Sequence, residues 1–352
     1  MWRGLIEEYK DHLPITDKTP IVSLHEGNTP LIELKNLPQK VNIPATWYIK
    51  YEGLNPTGSF KDRGMCMAIT KAKEAGSKAV ICASTGNTSA SAAAYAARAG
   101  MACLVMIPEG KIALGKLSQA MLHGAKVIQI EGNFDEALEY VQAIADKHPI
   151  TLVNSINPYR LEGQKTAAFE IVQSLGSAPT HHSIPVGNAG NITAYWMGYN
   201  EAKDIGWSKK VPKMLGFQAA GSDPIVQGVR IKNPETIATA IRIGNPINWK
   251  NAEKARDESI GDIMRINDET ITNYQKYLAN LDGIFCEPAS AISVAGVVAY
   301  HQKYPFVKGD VIVSTLTGHG LKDPQRAIEI APETHKVSSN EKAIDTLVRS
   351  FI

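Results

Sequence analysis

From residue 79 onward the sequence alternates short apolar runs with helix-length segments, and this alternation is what most constrains the fold. Residues 79–83, 102–107, 126–130, 151–153 and 182–186 read as strands. Residues 89–99, 114–123, 133–147, 161–175 and 191–203 read as helices, three of them closed by Gly100, Gly124 and Gly176. Strands that alternate with helices argue for a parallel sheet with right-handed crossovers, because each helix carries the chain back over the sheet. The expected class is therefore α/β. In such sheets ligands collect at the carboxyl ends of the strands, and every chemically interesting loop of this chain lies just after a strand. Residues 230–268, with weak periodicity and several Asn and Pro, read as an excursion of loops and short helices.

The 352 residues are enough for two domains, and 44% of them are hydrophobic. The formal net charge is +2 and no basic block stands out, which argues against nucleic acid and membrane surfaces as partners. No apolar run is long enough to span a bilayer, and residues 1–10 carry acidic side chains in place of a signal peptide's apolar core. Cys66, Cys82, Cys103 and Cys286 are scattered, without a C-x-x-C pair. Buried, reduced thiols and a cytoplasmic location are the expectation.

Lys61 stands in Asn55-Pro56-Thr57-Gly58-Ser59-Phe60-Lys61-Asp62-Arg63-Gly64. A lysine amine forms Schiff bases with aldehydes, and pyridoxal phosphate is the commonest aldehyde cofactor. A surface lysine beside a turn is the plain alternative, and the other loops weigh against it. Gly187-Asn188-Ala189-Gly190-Asn191 lies between a strand and a helix, where backbone N–H groups and a helix N-terminus favour an anion such as phosphate. Ser84-Thr85-Gly86-Asn87-Thr88-Ser89 places five hydrogen-bonding side chains around one glycine at another strand–helix junction. Part of that run serves as a helix cap. The remainder can hold a carboxylate, with Asn87 reaching a cofactor oxygen.

Other motifs carry less. Residues 110–117, GKIALGKL, approach the phosphate loop of nucleotidases, but Leu117 stands where a magnesium-binding Ser or Thr is needed. ATP or GTP hydrolysis is not expected, and Lys116 is kept as an anion contact. His319, between Gly318 and Gly320 after Thr317, reads as a structural loop residue because Lys61 already supplies a base. His181 and His182 have no matching ligand cluster, so no metal is expected.

The motifs at 55–64, 84–91 (STGNTSAS), 187–191 and 316–323 (LTGHGLKD) resemble those of the threonine synthases, within the fold type II, tryptophan-synthase-like pyridoxal phosphate enzymes. EGNTPL at 26–31, ATAIRIGNP at 238–246 and EPASA at 287–291 extend the resemblance over most of the chain. It implies two parallel-sheet α/β domains with the active site between them. Residues 53–155 would form the smaller, mobile domain, and residues 1–52 with 156–352 the larger one that binds the cofactor phosphate. It implies a homodimer.

By the same resemblance Lys61 carries the cofactor as a Schiff base and later moves protons, beside Phe60. Asn87 hydrogen-bonds the ring hydroxyl, Gly187, Asn188, Ala189, Gly190 and Asn191 hold the cofactor phosphate, and Thr317 contacts the pyridine nitrogen. The implied substrate is O-phospho-L-homoserine, converted with water to L-threonine and phosphate, the last step of threonine biosynthesis. Its carboxylate would lie on the 84–88 loop, at Ser84 and Thr85. Its phosphate would meet Thr88, Lys116, Asn154, Ser155, Arg160 and Asn188, where Arg160 offers a bidentate grip. Asn188 and Ala189 interrupt the four-glycine run of many dehydratases. A threonine or serine dehydratase is the second reading. A non-catalytic phosphate-ligand binding module is the third.

Overall fold

The computed structural model of the protein describes residues 1–109, 114–132 and 134–352, with their side chains except those of 114–116, 134 and 135. Among the described residues the ten strands are β1 Leu31–Glu33, β2 Thr46–Tyr51, β3 Ala79–Ala83, β4 Ala102–Pro108, β5 Lys126–Ile130, β6 Ile150–Leu152, β7 His181–Pro185, β8 Lys213–Ala219, β9 Asp262–Ile266 and β10 Val311–Leu316. The helices of nine residues or more are α1 Lys61–Glu74, α2 Asn87–Ala99, α3 Leu114–Leu122, α4 Phe134–Lys147, α5 Pro158–Leu175, α6 Gly190–Asp204, α7 Trp249–Glu258, α8 Asp268–Asp282, α9 Pro288–Lys303 and α10 Glu341–Arg349.

Two sheets result, and the chain divides between them in an interrupted order. A six-stranded sheet runs β1-β2-β10-β7-β8-β9, parallel except for the antiparallel edge strand β1. A four-stranded sheet, β5-β4-β3-β6, is parallel throughout. The chain starts in the six-stranded sheet, leaves it after Tyr51 for the four-stranded one, and returns at β7. Strand β10 then pairs in register with β2, Val311 opposite Thr46 and Leu316 opposite Tyr51.

Burial explains which strands sit centrally. All five residues of β3 and all five of β7 are buried, as a strand covered by helices on both faces requires. β5, at a sheet edge, has only exposed and half-buried residues. One apolar core runs from Leu5 and Ile6 through α1 and α2 to Phe169 and Tyr199. A second fills the space between the six-stranded sheet and α9, with Trp47, Phe217 and Ile292. A third, smaller core lies under α4 around Ile81, Met106 and Val141.

Helix α1 connects the two halves by packing on both α2 and α5. The α1–α5 crossing is close enough that a Cβ on Gly163 would stand 1.8 Å from the Arg63 carbonyl oxygen, so only glycine fits there. All residues of α1 from Asp62 to Thr70 are buried. A helix covered on all sides loses the polar stripe that makes a helix readable from sequence, which is why α1 does not emerge from periodicity.

Boundaries differ from the sequence expectation where caps decide them. α5 begins at Pro158 rather than 161, because Asn157 caps it by accepting from the Tyr159 N–H at 3.1 Å. α2 begins at Asn87, so Asn87 and Thr88 belong to its first turn. β10 runs through Leu316, which brings its end next to Thr317. The excursion at 230–268 contains α7 and closes with the edge strand β9, paired to β8. The nucleotidase-like stretch falls partly outside the described residues, at 110–113, as does Asn133.

All four cysteines are buried, as expected. No helix among the described residues is long and apolar enough to cross a membrane.

Candidate active site

The loops that follow β3, β6, β7 and β10 converge on one cavity, as the carboxyl-end rule for parallel sheets requires. Lys61, Asn87, Arg160, Asn188, Glu287 and Thr317 are among its lining residues. Phe60, Ser155 and the whole 187–191 loop also line it. These come from six separate stretches of sequence, and the fold brings them together.

The Lys61 loop is fixed by the chain that follows β10. Phe60 N–H donates to Thr317 O at 2.9 Å, and His319 N–H donates to Gly58 O at 2.9 Å. Lys61 is thereby held at the first position of α1, its ammonium nitrogen 4.3 Å from the Phe60 ring centroid. Burial, then the Arg160 cation, push the Lys61 amine down from 10.5 to about 7, against the pull of Glu287. A substantial share of this amine is therefore neutral, and nucleophilic, near neutral pH.

Glu287 did not emerge from sequence beyond its place in a motif. It is 4% exposed and accepts from Asn87 Nδ2 at 3.2 and 3.1 Å through its two oxygens. A conformational signal for it exists only in three dimensions, since the partners are 200 positions apart. Gln164 and Ile241 also line the cavity without having been singled out. Ser290 supports Thr317: the two hydroxyl oxygens lie 3.0 Å apart, and Ser290 Oγ accepts from Gly318 N–H at 2.8 Å.

Arg160, also in the lining, is 2% exposed and donates from Nη1 to the Val153 carbonyl at 3.2 Å. Its Nε has no hydrogen-bond partner among the described residues. Burial pushes its guanidinium down from 12.5 to about 10, still cationic at neutral pH. Asn188 Nδ2 lies 3.5 Å from Ser155 Oγ, and Asn188 Oδ1 accepts from Ile247 N–H at 3.3 Å. Ser155 and Asn188 are thus neighbours, and Arg160 lines the same cavity.

Ser84, Thr85, Thr88 and Asn154 are not among its lining residues. Of the 84–88 run, only Asn87 lines the cavity. Ser84 Oγ accepts from Gly86 N–H at 3.2 Å, and Ser89 Oγ donates to Gly86 O at 2.8 Å, a turn-and-cap arrangement. Thr85 and Thr88 are half-buried beside it. Asn154 closes a two-bond bracket with the Ala83 backbone, 2.9 Å each way. The Lys116 side chain lies outside the described residues. His319 accepts from Leu321 N–H through Nδ1 at 3.2 Å and stacks on Tyr51. His182 lies between Tyr199 and Thr315 hydroxyls, and no three-residue metal cluster occurs among the described residues.

The arrangement joins a neutralisable amine, a buried cation and an oriented loop at a helix N-terminus. A model of the pyridoxal-phosphate dependent enzyme family matches residues 22–318. The chain belongs to this family. Its cofactor is pyridoxal phosphate. Among similar proteins, threonine synthase from Synechocystis sp. is 58% identical over 93% of this chain and 85% of its own length. Threonine synthase from Halalkalibacterium halodurans is 56% identical over 97% and 96%, and that from Methanocaldococcus jannaschii 50% identical over 100% and 87%. Maize serine racemase matches in structure with a TM-score of 0.73 at 20% identity, covering 93% of this chain and 97% of its own. The processed threonine deaminase isoform 2 of Solanum lycopersicum gives 0.73 at 22%, over 88% and 89%. Both show the fold, two α/β domains on parallel sheets in the fold type II arrangement.

The residues present fit the cofactor. Lys61 offers the amine. Both side-chain polar atoms of Asn191 are buried without partners among the described residues, at the N-terminus of the 15-residue α6. The first N–H groups of a helix have no partner within it, so this end suits a phosphate.

Proposed function

We propose that the protein is a threonine synthase, a lyase that converts O-phospho-L-homoserine and water to L-threonine and phosphate. The observation that carries this reading is the pairing, in one cavity, of the Lys61 amine with the buried Arg160 cation, whose Nε has no partner among the described residues. A dehydratase acting on threonine has no substrate phosphate for that cation to hold. The full-length similarity to threonine synthases supports the same choice.

When bound, pyridoxal phosphate supplies an electron sink for the substrate α carbon. The chain's own residues do the rest. Lys61 fixes the cofactor, and its freed amine takes the α proton and redistributes protons afterwards. The net change is that the β carbon exchanges a proton for hydroxyl, while the γ carbon exchanges phosphate for a proton. Arg160, Ser155 and Asn188 hold the departing phosphate, with Thr88, Asn154 and Lys116 as further contacts when α3 and the 84–88 loop close in. Ser84 and Thr85 receive the substrate carboxylate. Asn87 orients the cofactor ring, the 187–191 loop holds its phosphate, and Thr317 offers the ring nitrogen an uncharged hydroxyl. A neutral partner there leaves that nitrogen largely unprotonated and moderates the sink.

Residues 53–155 act as the smaller domain, which closes on the larger one to exclude water until its addition. The protein works as a cytoplasmic homodimer on a small-molecule substrate. Its four buried thiols suit a reducing compartment.

The test is phosphate and threonine formation from O-phospho-L-homoserine by the cofactor-loaded protein, beside Lys61→Ala. Equal amounts of both products are expected from the wild type, and a loss of about 10³-fold or more from the variant. A protein inert to phosphohomoserine that makes 2-oxobutyrate from threonine would instead be a dehydratase.

A further inference from the structure

Lys322 stands in the short turn Gly320–Lys322 that follows β10 and Thr317. It reaches away from its own sheet. Its Nζ donates to the Thr57 carbonyl at 3.0 Å and to Gln119 Oε1 on α3. These acceptors are 265 and 203 positions away in sequence. The stem packs along Gly58, whose φ of +86° is a glycine conformation and whose missing side chain leaves room: a Cβ there would come 3.0 Å from Lys322 Cδ.

Thr57 is itself tied to the residue after Lys61. The Thr57 N–H and hydroxyl donate to the Asp62 carboxylate at 2.7 and 2.6 Å. The same carboxylate accepts from Ser91 on α2 at 2.6 Å. One continuous chain therefore runs Gln119, Lys322, Thr57, Asp62, Ser91. It joins two helices of the four-stranded sheet to the turn after β10, and it passes through the loop that presents Lys61. An ammonium half-buried in a turn is costly to desolvate, and two neutral acceptors from remote segments are unusual company for it. Both are within reach together only while α3 lies against the Lys61 loop.

We propose that Lys322 is a positioning residue, a latch that holds α3 against the Lys61 loop and couples the placement of the four-stranded sheet to the alignment of the lysine. This role rests on the threonine synthase reading for its kinetic consequence, and on the geometry alone for its structural one.

Gln119→Leu removes the α3 contact and leaves the Thr57 bond, so it separates latching from simple loop support. In the cofactor-loaded protein without substrate, amide exchange over α3 should rise in both Gln119→Leu and Lys322→Met. The kcat/KM for O-phospho-L-homoserine should fall about tenfold in each, the scale of one charge-assisted hydrogen bond. The double variant should fall no further than Lys322→Met, which already breaks the Gln119 link, and the visible cofactor band should persist. Unchanged α3 exchange in Gln119→Leu would overturn the latch. So would raised exchange with wild-type kinetics, or losses that multiply in the double variant. If the wild type itself does not turn over phosphohomoserine, the functional reading fails, and exchange over α3 alone then decides whether the latch exists.

Discussion

Asn87 and Glu287 meet across the cavity, the Asn87 amide nitrogen 3.2 and 3.1 Å from the two carboxylate oxygens. The contact joins the first turn of α2 to the residue that precedes α9. Glu287 is anchored in turn by its own N–H, which donates to Gly318 O at 3.1 Å, next to Thr317. A buried carboxylate thus stands near the Lys61 amine and favours its protonated form.

Glu287→Gln keeps the shape of that contact and removes the charge. Without the carboxylate the Lys61 amine should fall further below about 7. The pH dependence of cofactor capture by the apoprotein should move to lower pH, and the amide can still orient Asn87. A pH profile unchanged in the variant would disconnect Glu287 from the lysine.

The Lys61 amine itself predicts how the apoprotein takes up cofactor. Capture needs the neutral amine, so its rate should rise with pH and reach half its plateau near the depressed value of about 7, rather than near 10.5. The sign for stability follows. Between about 7 and 10.5 the unfolded lysine binds a proton that the folded one lacks, so apoprotein stability contributed by this group increases as pH rises through that window. Apo Lys61→Met should therefore be more stable than wild type at pH 7, with the gap closing toward pH 10.5. Chemical denaturation at several pH values measures both, and a pH-independent gap would refute the depressed amine.

Arg160→Ala should lower kcat/KM for phosphohomoserine by about 10²-fold or more, since a buried cation bonded to a phosphate contributes a few kcal/mol. Lys61 keeps its bond-forming amine, so the cofactor band should remain. Arg160→Lys should recover part of the loss, limited by the absent guanidinium fork. Wild-type kinetics in Arg160→Ala would remove this residue from the substrate pocket.

Beneath the site, Arg63 bonds two buried carboxylates, donating to Glu52 at 2.6 and 2.8 Å and to Glu170 at 2.6 and 2.7 Å. Lys50 donates to Glu170 as well, at 2.6 Å. Arg63→Met leaves Glu52 without its cation and should destabilise the fold by about 3–5 kcal/mol, measured by urea unfolding. Burial raises the Glu170 carboxyl, but Arg63 and Lys50 outweigh it and hold the group down to about 2. Its contribution is complete above the ordinary value of 4.5 and is lost as pH falls from there toward about 2. Glu170→Gln should therefore flatten the acid limb of the stability curve. A loss under about 1 kcal/mol in Arg63→Met would place the network outside the folding energetics.

The sequence by itself determined the α/β class, the parallel pairing and the loops at which chemistry could gather. Those are near-neighbour properties: strand and helix periods, glycine stops and polar turns are all written within a dozen residues. Lys61, Asn87, the 187–191 loop and Thr317 were legible for the same reason, each standing at a strand end or in a local motif, and the fold brings them to one cavity. Only the tertiary structure decided which polar groups meet. It paired Asn87 with Glu287, placed Lys322 between Thr57 and Gln119, and closed Asn154 onto Ala83 rather than onto the cavity. It also hid α1, whose buried surface on all sides leaves no amphipathic stripe to read. Contacts between segments separated by 71 to 265 positions depend on how two sheets and their crossovers pack, and no local pattern in the chain encodes that distance.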